Sequence, residues 1–275
     1  MLTLIETISL AGDRKKQNDD ACGFDGTSAW VIDGATDLHD QPLSYEASDA
    51  SWLAHHLNRR LYEPKGNDTV DIIRQISRGA ASSFRSLVGG RPYERWQSPV
   101  ASVFLIREHG QIMGVDLGDC RMFALDADGT VHVAGGPEGA REAEAAAAAK
   151  QTDAHKPLLQ REATLERLRQ SRASLNKPGG SWTFGLDPEC ADHMRGHRFE
   201  LKRPAYILLM TDGFAVLADQ YGAYDPAGLV RAALEKGLQE LGREVRAIEA
   251  ADAGGAKHPR FKSSDDATAM LLRLT

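Results

Sequence analysis

The chain has 275 residues, a length that at ~150 residues per domain suits one large domain or two small ones. Hydrophobic residues make up 42% and charged residues 26%, which excludes a disordered or collagen-like chain. A net charge of −6 argues against nucleic-acid binding driven by bulk charge.

Met1 to Glu6 lacks a basic leader followed by an apolar core and a cleavage site, so no secretory signal is expected. Ala21 to Phe24 and Ala29 to Ile32 read as short strands around the turn sequence Asp25-Gly26-Thr27-Ser28. Tyr45 to Leu61 repeats apolar residues every four positions, and Val70 to Leu87 puts Ile73, Ile76, Ala80, Phe84 and Leu87 on one face. Both predict amphipathic helices, and Gly89-Gly90-Arg91-Pro92 stops the second. Strands resume at Val100 to Ile106, Gln111 to Leu117, Arg121 to Leu125 and Val131 to Val133. Their links are too short for parallel crossovers, which predicts an antiparallel meander.

Glu138 to Arg172 is alanine-rich and charged, with few large apolar residues before Leu158. It favours helix by propensity but has little to bury. The expectation is a mobile helical flap, with a linker as the alternative on composition. Tyr206 to Met210 is a continuous apolar strand. The longest apolar run, Ala205 to Met210, is far short of the ~20 residues that span a bilayer, so no membrane partner is expected. Asp225-Pro226 opens a helix that carries Val230, Leu234, Leu238, Leu241, Val245 and Ile248. Ala267 to Leu274 closes the chain as a strand. Cys22, Cys120 and Cys190 form neither a disulfide framework nor a CxxC motif, which points to a reduced, cytoplasmic protein. Strands interleaved with long helices suggest two sheets covered by helices.

Asp-Gly occurs at Asp25, Asp33, Asp128 and Asp212. Asp25 and Asp128 sit between strands and read as hairpin turns. Asp33 and Asp212 differ, because each follows a strongly apolar strand. A carboxylate there is costly unless it is paired or binds a cation. If the Asp25–Ser28 loop joins antiparallel strands, Phe24 faces Ala29 and Asp20 faces Asp33. Opposed like charges are destabilising, and Asp19 adds a third acid. A divalent cation among them would make the arrangement tolerable. A register shifted by one residue would leave the acids solvated instead. Asp119 lies in a tight turn, and Asp265-Asp266 precedes the closing strand; each is also ordinary loop chemistry.

In order, these segments resemble the metal-dependent protein phosphatase 2C family. Its motifs are similar to Asn18-Asp19-Asp20-Ala21, Val31-Ile32-Asp33-Gly34, Gly118-Asp119-Cys120-Arg121, Thr211-Asp212-Gly213 and Asp265-Asp266-Ala267-Thr268. The resemblance implies one α+β domain over residues 1–275. It would be a four-layer αββα sandwich of two antiparallel sheets flanked by helices, with a flap at about 137–180. It implies two divalent cations, Mn²⁺ or Mg²⁺, sharing a water that attacks a phosphomonoester, with a phosphoserine or phosphothreonine protein as substrate. Asp33 would bridge the ions, with the Gly34 carbonyl as a further ligand. Asp212 and Asp265 would hold the second ion, and Asp19 and Asp20 would act directly or through water. Asp119 matches the position of a weaker third ion, but Val216 stands where the family often carries that site's other aspartate. The family's phosphate-binding arginine falls at Lys15, flanked by Arg14 and Lys16. A solvated basic turn is the plain reading of that run. A small-molecule phosphatase and a silent phosphoprotein-binding module are the alternatives on the same scaffold.

Overall fold

The computed structural model describes residues 1–63, 68–137, 139–151 and 156–275. Two five-stranded antiparallel sheets form its centre. The first sheet carries β1 (Leu2–Leu10), β10 (Ala267–Leu274), β9 (Ala205–Met210), β6 (Arg121–Leu125) and β7 (Val131–Ala134), in that spatial order. The second carries β2 (Ala21–Phe24), β3 (Ser28–Gly34), β4 (Ala101–His109), β5 (Gln111–Leu117) and β8 (Arg195–Phe199).

Strand periodicity explains why the central strands are apolar throughout. Alternate residues of a strand point to opposite faces, so a strand covered on both sides has no polar face. On β3, Ala29 and Val31 enter the layer between the sheets, where they join Phe104, Met122, Ile207 and Met270. Trp30 and Ile32 point the other way, into a second layer with Leu53, Ile73 and Phe84. Those partners come from α1 (Asp49–Leu61) and α2 (Thr69–Val88), which cover the second sheet. β9 alternates likewise, with Ile207 and Leu209 between the sheets and Leu208 and Met210 outward. The outward pair meets Phe214, Leu229 and Leu241, from α5 (Asp212–Asp219), α6 (Pro226–Lys236) and α7 (Leu238–Ala251). Three apolar layers therefore separate four layers of secondary structure, the expected αββα sandwich.

Local signals set the helix ends. The Ser48 hydroxyl accepts the Ser51 amide at 3.1 Å and starts α1, so residues 45–48, expected inside the helix, precede it. The Asp68 carboxylate accepts the Val70 amide at 2.8 Å at the head of α2, and Gly89 ends that helix at φ 63°. The single helix expected after Asp225-Pro226 is two, because Gly237 adopts φ 82° and breaks it. The apolar spacing runs on through that break, so periodicity alone did not reveal it.

The expected meander is also corrected. β4 and β5 form a hairpin, as do β6 and β7. The link Gly118-Asp119-Cys120, however, passes the chain from one sheet to the other. A short link excludes a parallel crossover but does not dictate which sheet receives the next strand. β1 and β8 and helix α5 carried no clear sequence signal; in β1 the polar residues fall at half-exposed or exposed positions of an edge strand. The segment expected to form a flap carries α3 (Ala140–Ala149) and α4 (Glu162–Ser174). Its Glu138 and residues 152–155 lie outside the described residues. Among the described residues, no helix is long and apolar enough to cross a membrane.

Trp30 is the largest fully buried side chain of the helix-covered layer. Its indole N–H donates to Asn58 at 2.8 Å, and its ring meets Tyr62 edge-on at 4.8 Å. Trp30→Ala should cost about 3–5 kcal/mol of unfolding free energy in a denaturant titration, from lost burial and the cavity left behind.

Candidate active site

The acids converge because the two central strands end at the same side of the sandwich. The β2–β3 hairpin has the expected register, with Phe24 opposite Ala29 and Ala21 opposite Ile32. It continues one step further as the Gly34 amide donates to the Asp19 carbonyl at 3.2 Å. Asp33 therefore lies at the end of β3, with Asp20 near it. Asp212 lies at the start of α5, directly after β9. Asp119 comes from the link between the sheets, and Asp265 from the approach to β10. Asp33, Asp119, Asp212 and Asp265 line one cavity of about 230 Å³, together with Gly34.

Both glycines of the strand-end Asp-Gly pairs are there for close approach rather than for a turn. A Cβ on Gly34 would lie 2.5 Å from the Asp19 carbonyl oxygen. One on Gly213 would lie 1.9 Å from that of Asp266. Asp25 and Asp128 behave as ordinary turn acids: Asp25 accepts the Ser28 amide at 2.7 Å, and Asp128 accepts the Thr130 hydroxyl at 2.8 Å.

Hydrogen bonds fix several acids in place. The buried Thr211 hydroxyl donates to Asp20 at 2.9 Å and accepts the Thr268 amide at 3.0 Å. The Ser102 hydroxyl donates to Asp119 at 2.6 Å. Asp266 accepts the Gly12 amide at 2.7 Å and the Asp19 amide at 2.6 Å, and so ties the loop that carries Asp19 to the head of β10. Its carboxylate shapes the site rather than facing the cavity.

Crowding has a clear electrostatic signature. Burial and then the charges of Asp212, Asp20, Asp119 and Asp265 raise Asp33 well above the usual carboxylate range. Burial and Asp266 do the same to Asp20. Burial pushes Asp19 up to about 6. Asp212 goes the other way: burial opposes its charge, but Arg141 and a hydrogen bond from Asp33 hold it below the usual range. Arg141, on α3, reaches Asp212 at 2.8 Å and Glu144 at 3.0 Å. Lys262 pairs with Asp265 at 2.5 Å.

The donor set fits hard divalent cations in its chemistry: several carboxylates, no competing sulfur or imidazole, and one buried carboxylate oxygen, Asp19 Oδ1, with no hydrogen-bond partner. Arg141 and Lys262 supply counter-charge to the same acids. Among the described residues, a three-residue group whose donor atoms all lie within 4.8 Å of one another is a different one, Asp37, His39 and Asp49. Its carboxylates accept the backbone amides of Asp49, Leu43 and Ser44 at 2.7–2.8 Å, so it braces the loop before α1.

Only one residue of the expected phosphate-binding run lines a cavity with these acids. Arg14 and Lys15 are exposed and do not line the cavity, while Lys16 lines the neighbouring one with Asp19. The cations that do line the acidic cavity are Arg141, Arg172, Arg260 and Lys262. Sequence reading missed them, together with Thr211, Ser102 and Glu144. The Arg141-x-x-Glu144 pair in an otherwise alanine-rich helix was the available signal. Cys120 is fully buried in the layer between the sheets, and all three cysteines are free. His55 is exposed and His56 buried on the same helix, and neither lines the acidic cavity.

Two stacked antiparallel sheets, helices on both outer faces and acids gathered at one end define a phosphatase-type αββα sandwich. The chain belongs to the protein phosphatase 2C family, whose profile matches residues 12–245. No curated protein matches it. Among solved structures it is similar to the serine/threonine phosphatase PstP of Mycobacterium tuberculosis, at 15% identity and TM-score 0.57, covering 99% of this chain and 98% of that one. It is similar to PppA, a regulatory component of type VI secretion in Pseudomonas aeruginosa, at 15% identity and TM-score 0.55, over 98% and 96% of the two chains. It is also similar to a PstP catalytic domain solved with two manganese ions, at 16% identity and TM-score 0.53, over 99% of each chain.

Raised carboxylate pKa values carry a sign for stability. An acid whose pKa is higher folded than unfolded stabilises the fold only while protonated, so its contribution is lost as pH rises through the folded value. Asp33 and Asp20 act this way, and so do Asp19 at about 6 and Glu144, pushed up to about 7 by burial and Asp212. His55 and His56, lowered by burial, pull in the opposite direction. The difference between variants isolates the acids. In metal-free buffer Asp33→Asn should unfold several degrees above the parent chain at pH 7.5, and that gap should narrow steadily toward pH 4. A gap that is constant with pH would remove the crowding argument.

Proposed function

We propose that this chain is a serine/threonine phosphoprotein phosphatase that depends on two divalent cations, Mn²⁺ or Mg²⁺. The observation that carries the reading is the convergence of Asp33, Asp119, Asp212 and Asp265, from four separate segments, on one cavity at the end of the sheets, with Asp20 buried behind them. Family membership and the manganese-bound PstP domain support it.

Asp33, the Gly34 carbonyl, Asp212 and Asp265 would hold the ions, with Asp19 and Asp20 acting directly or through water. Bound there, divalent ions would supply an activated water and charge to offset that of the phosphoryl group. The remaining work belongs to the chain. Thr211 holds Asp20 and Ser102 holds Asp119, so neither acid must be ordered when an ion arrives. Arg141 pairs with Asp212 through Oδ2, which makes the position of α3 part of that carboxylate's charge balance. No Ser or Cys nucleophile is assigned. Helices α3 and α4 would act as a flap at the mouth of the cavity, which Arg141, Glu144, Leu168 and Arg172 line, and the open site suits a phosphorylated peptide segment.

With Mn²⁺ the purified protein should release phosphate from phosphoserine or phosphothreonine peptides faster than from sugar phosphates. Asp33→Asn and Asp212→Asn should each lower turnover by about a hundredfold or more, since even outer-shell changes cost 10–100-fold. Preference for the sugar phosphates would favour a small-molecule phosphatase, and absence of turnover with absence of Mn²⁺ binding would favour a silent binding module.

A further inference from the structure

A phosphate dianion arriving beside so many acids needs a cation of its own. Four line the cavity, and three of them are already committed. Arg141 pairs with Asp212 at 2.8 Å and Lys262 with Asp265 at 2.5 Å. Arg260 pairs with Asp252 at 3.0 Å and also donates to the His258 carbonyl at 3.0 Å.

Arg172 is different. It sits near the end of α4, and among the described residues its guanidinium hydrogen bonds are two long ones, to the carbonyls of Ala35 at 3.5 Å and Thr36 at 3.3 Å. It forms no ion pair among the described residues. The acid acting on it from further off is Asp37, whose carboxylate already accepts the Asp49 and Ala50 amides at 2.8 and 3.3 Å. Ala35 and Thr36 directly follow the Asp33-Gly34 pair, so these contacts fix the guanidinium beside the proposed ion site. The guanidinium is half-buried and carries no carboxylate among the described residues, so it is open to an anion. Its planar fork of donors matches two phosphoryl oxygens. The basic run expected to take this role, Arg14 to Lys16, does not line this cavity.

We propose that Arg172 binds the phosphoryl oxygens of the substrate, in place of the Arg14–Lys16 run, and so makes α4 part of the substrate site. The assignment rests on the phosphatase reading for its substrate but not for its anion. Contact with the 35–36 carbonyls alone would make Arg172 a structural latch, and the two roles differ in what phosphate does.

The test titrates inorganic phosphate against Mn²⁺-loaded protein, as an inhibitor of phosphopeptide turnover and, separately, as a ligand in calorimetry. Arg172→Gln keeps hydrogen bonds to the carbonyls but loses the charge; Arg172→Lys keeps the charge but loses the fork. Arg172→Gln should weaken phosphate by about tenfold or more in both measurements and raise KM more than it lowers kcat. Arg172→Lys should weaken it less, Lys15→Ala should stay within about twofold, and Mn²⁺ binding should be unchanged in all three. Phosphate affinity equal in the parent and Arg172→Gln, or lost instead in Lys15→Ala, would overturn the proposal. If Arg172→Gln fails to fold, Arg172→Lys decides by the same phosphate titration, and undiminished affinity there overturns it. Protein that binds phosphate through Arg172 without turning over any ester would sink the phosphatase reading and leave the anion site standing. Protein that binds no phosphate at all would sink the anion site.

Discussion

Mutual repulsion among buried carboxylates is the constraint on which the site depends. Asp33 is raised by four other acids besides its own burial, and Asp20 stands fully buried behind it. A fold that needed only stability would replace such a group with apolar residues. Here the sandwich instead holds it firmly. The Thr211 and Ser102 hydroxyls orient two of the acids, and the two strand-end glycines let neighbouring backbones approach where any side chain would collide. The central strands are buried on both faces, so their ends are rigid platforms for charge.

The counter-charges come from a different part of the molecule. Arg141 and Arg172 lie on α3 and α4, outside the sheets and their covering helices. One binds an acid of the cluster, and the other touches the loop that follows Asp33. An alanine-rich segment outside the sandwich thus reaches the buried acids. The Arg141–Asp212 pair makes the position of α3 part of the charge balance of the site.

Much of this was legible from residues alone, for identifiable reasons. The β2–β3 hairpin was readable because a turn sequence fixed its register, and the register put Asp20 beside Asp33. The strand-end Asp-Gly pairs stood out because each followed an apolar run, whereas Asp25 and Asp128 did not. Other features left no local trace. The Gly118–Cys120 link changes sheets, and link length says nothing of that. Gly237 splits a helix whose apolar spacing continues unbroken. Arg141 and Arg172 approach the acids through tertiary packing of two helices with little apolar content, and spacing along the chain does not encode that approach. The basic run at Arg14 to Lys16 was conspicuous in sequence, yet the tie between Asp266 and the Gly12–Asp19 loop leaves Arg14 and Lys15 outside the cavity.

The central claim is that these acids form one cation site. Thermal unfolding across a Mn²⁺ titration at fixed neutral pH tests it most directly, since an ion that binds only the folded chain raises the midpoint with the logarithm of its concentration. The account expects a steady rise for the parent chain and little or none for Asp33→Asn and Asp212→Asn. A parent midpoint indifferent to Mn²⁺ and Mg²⁺, or one that rises equally in both variants, would contradict it.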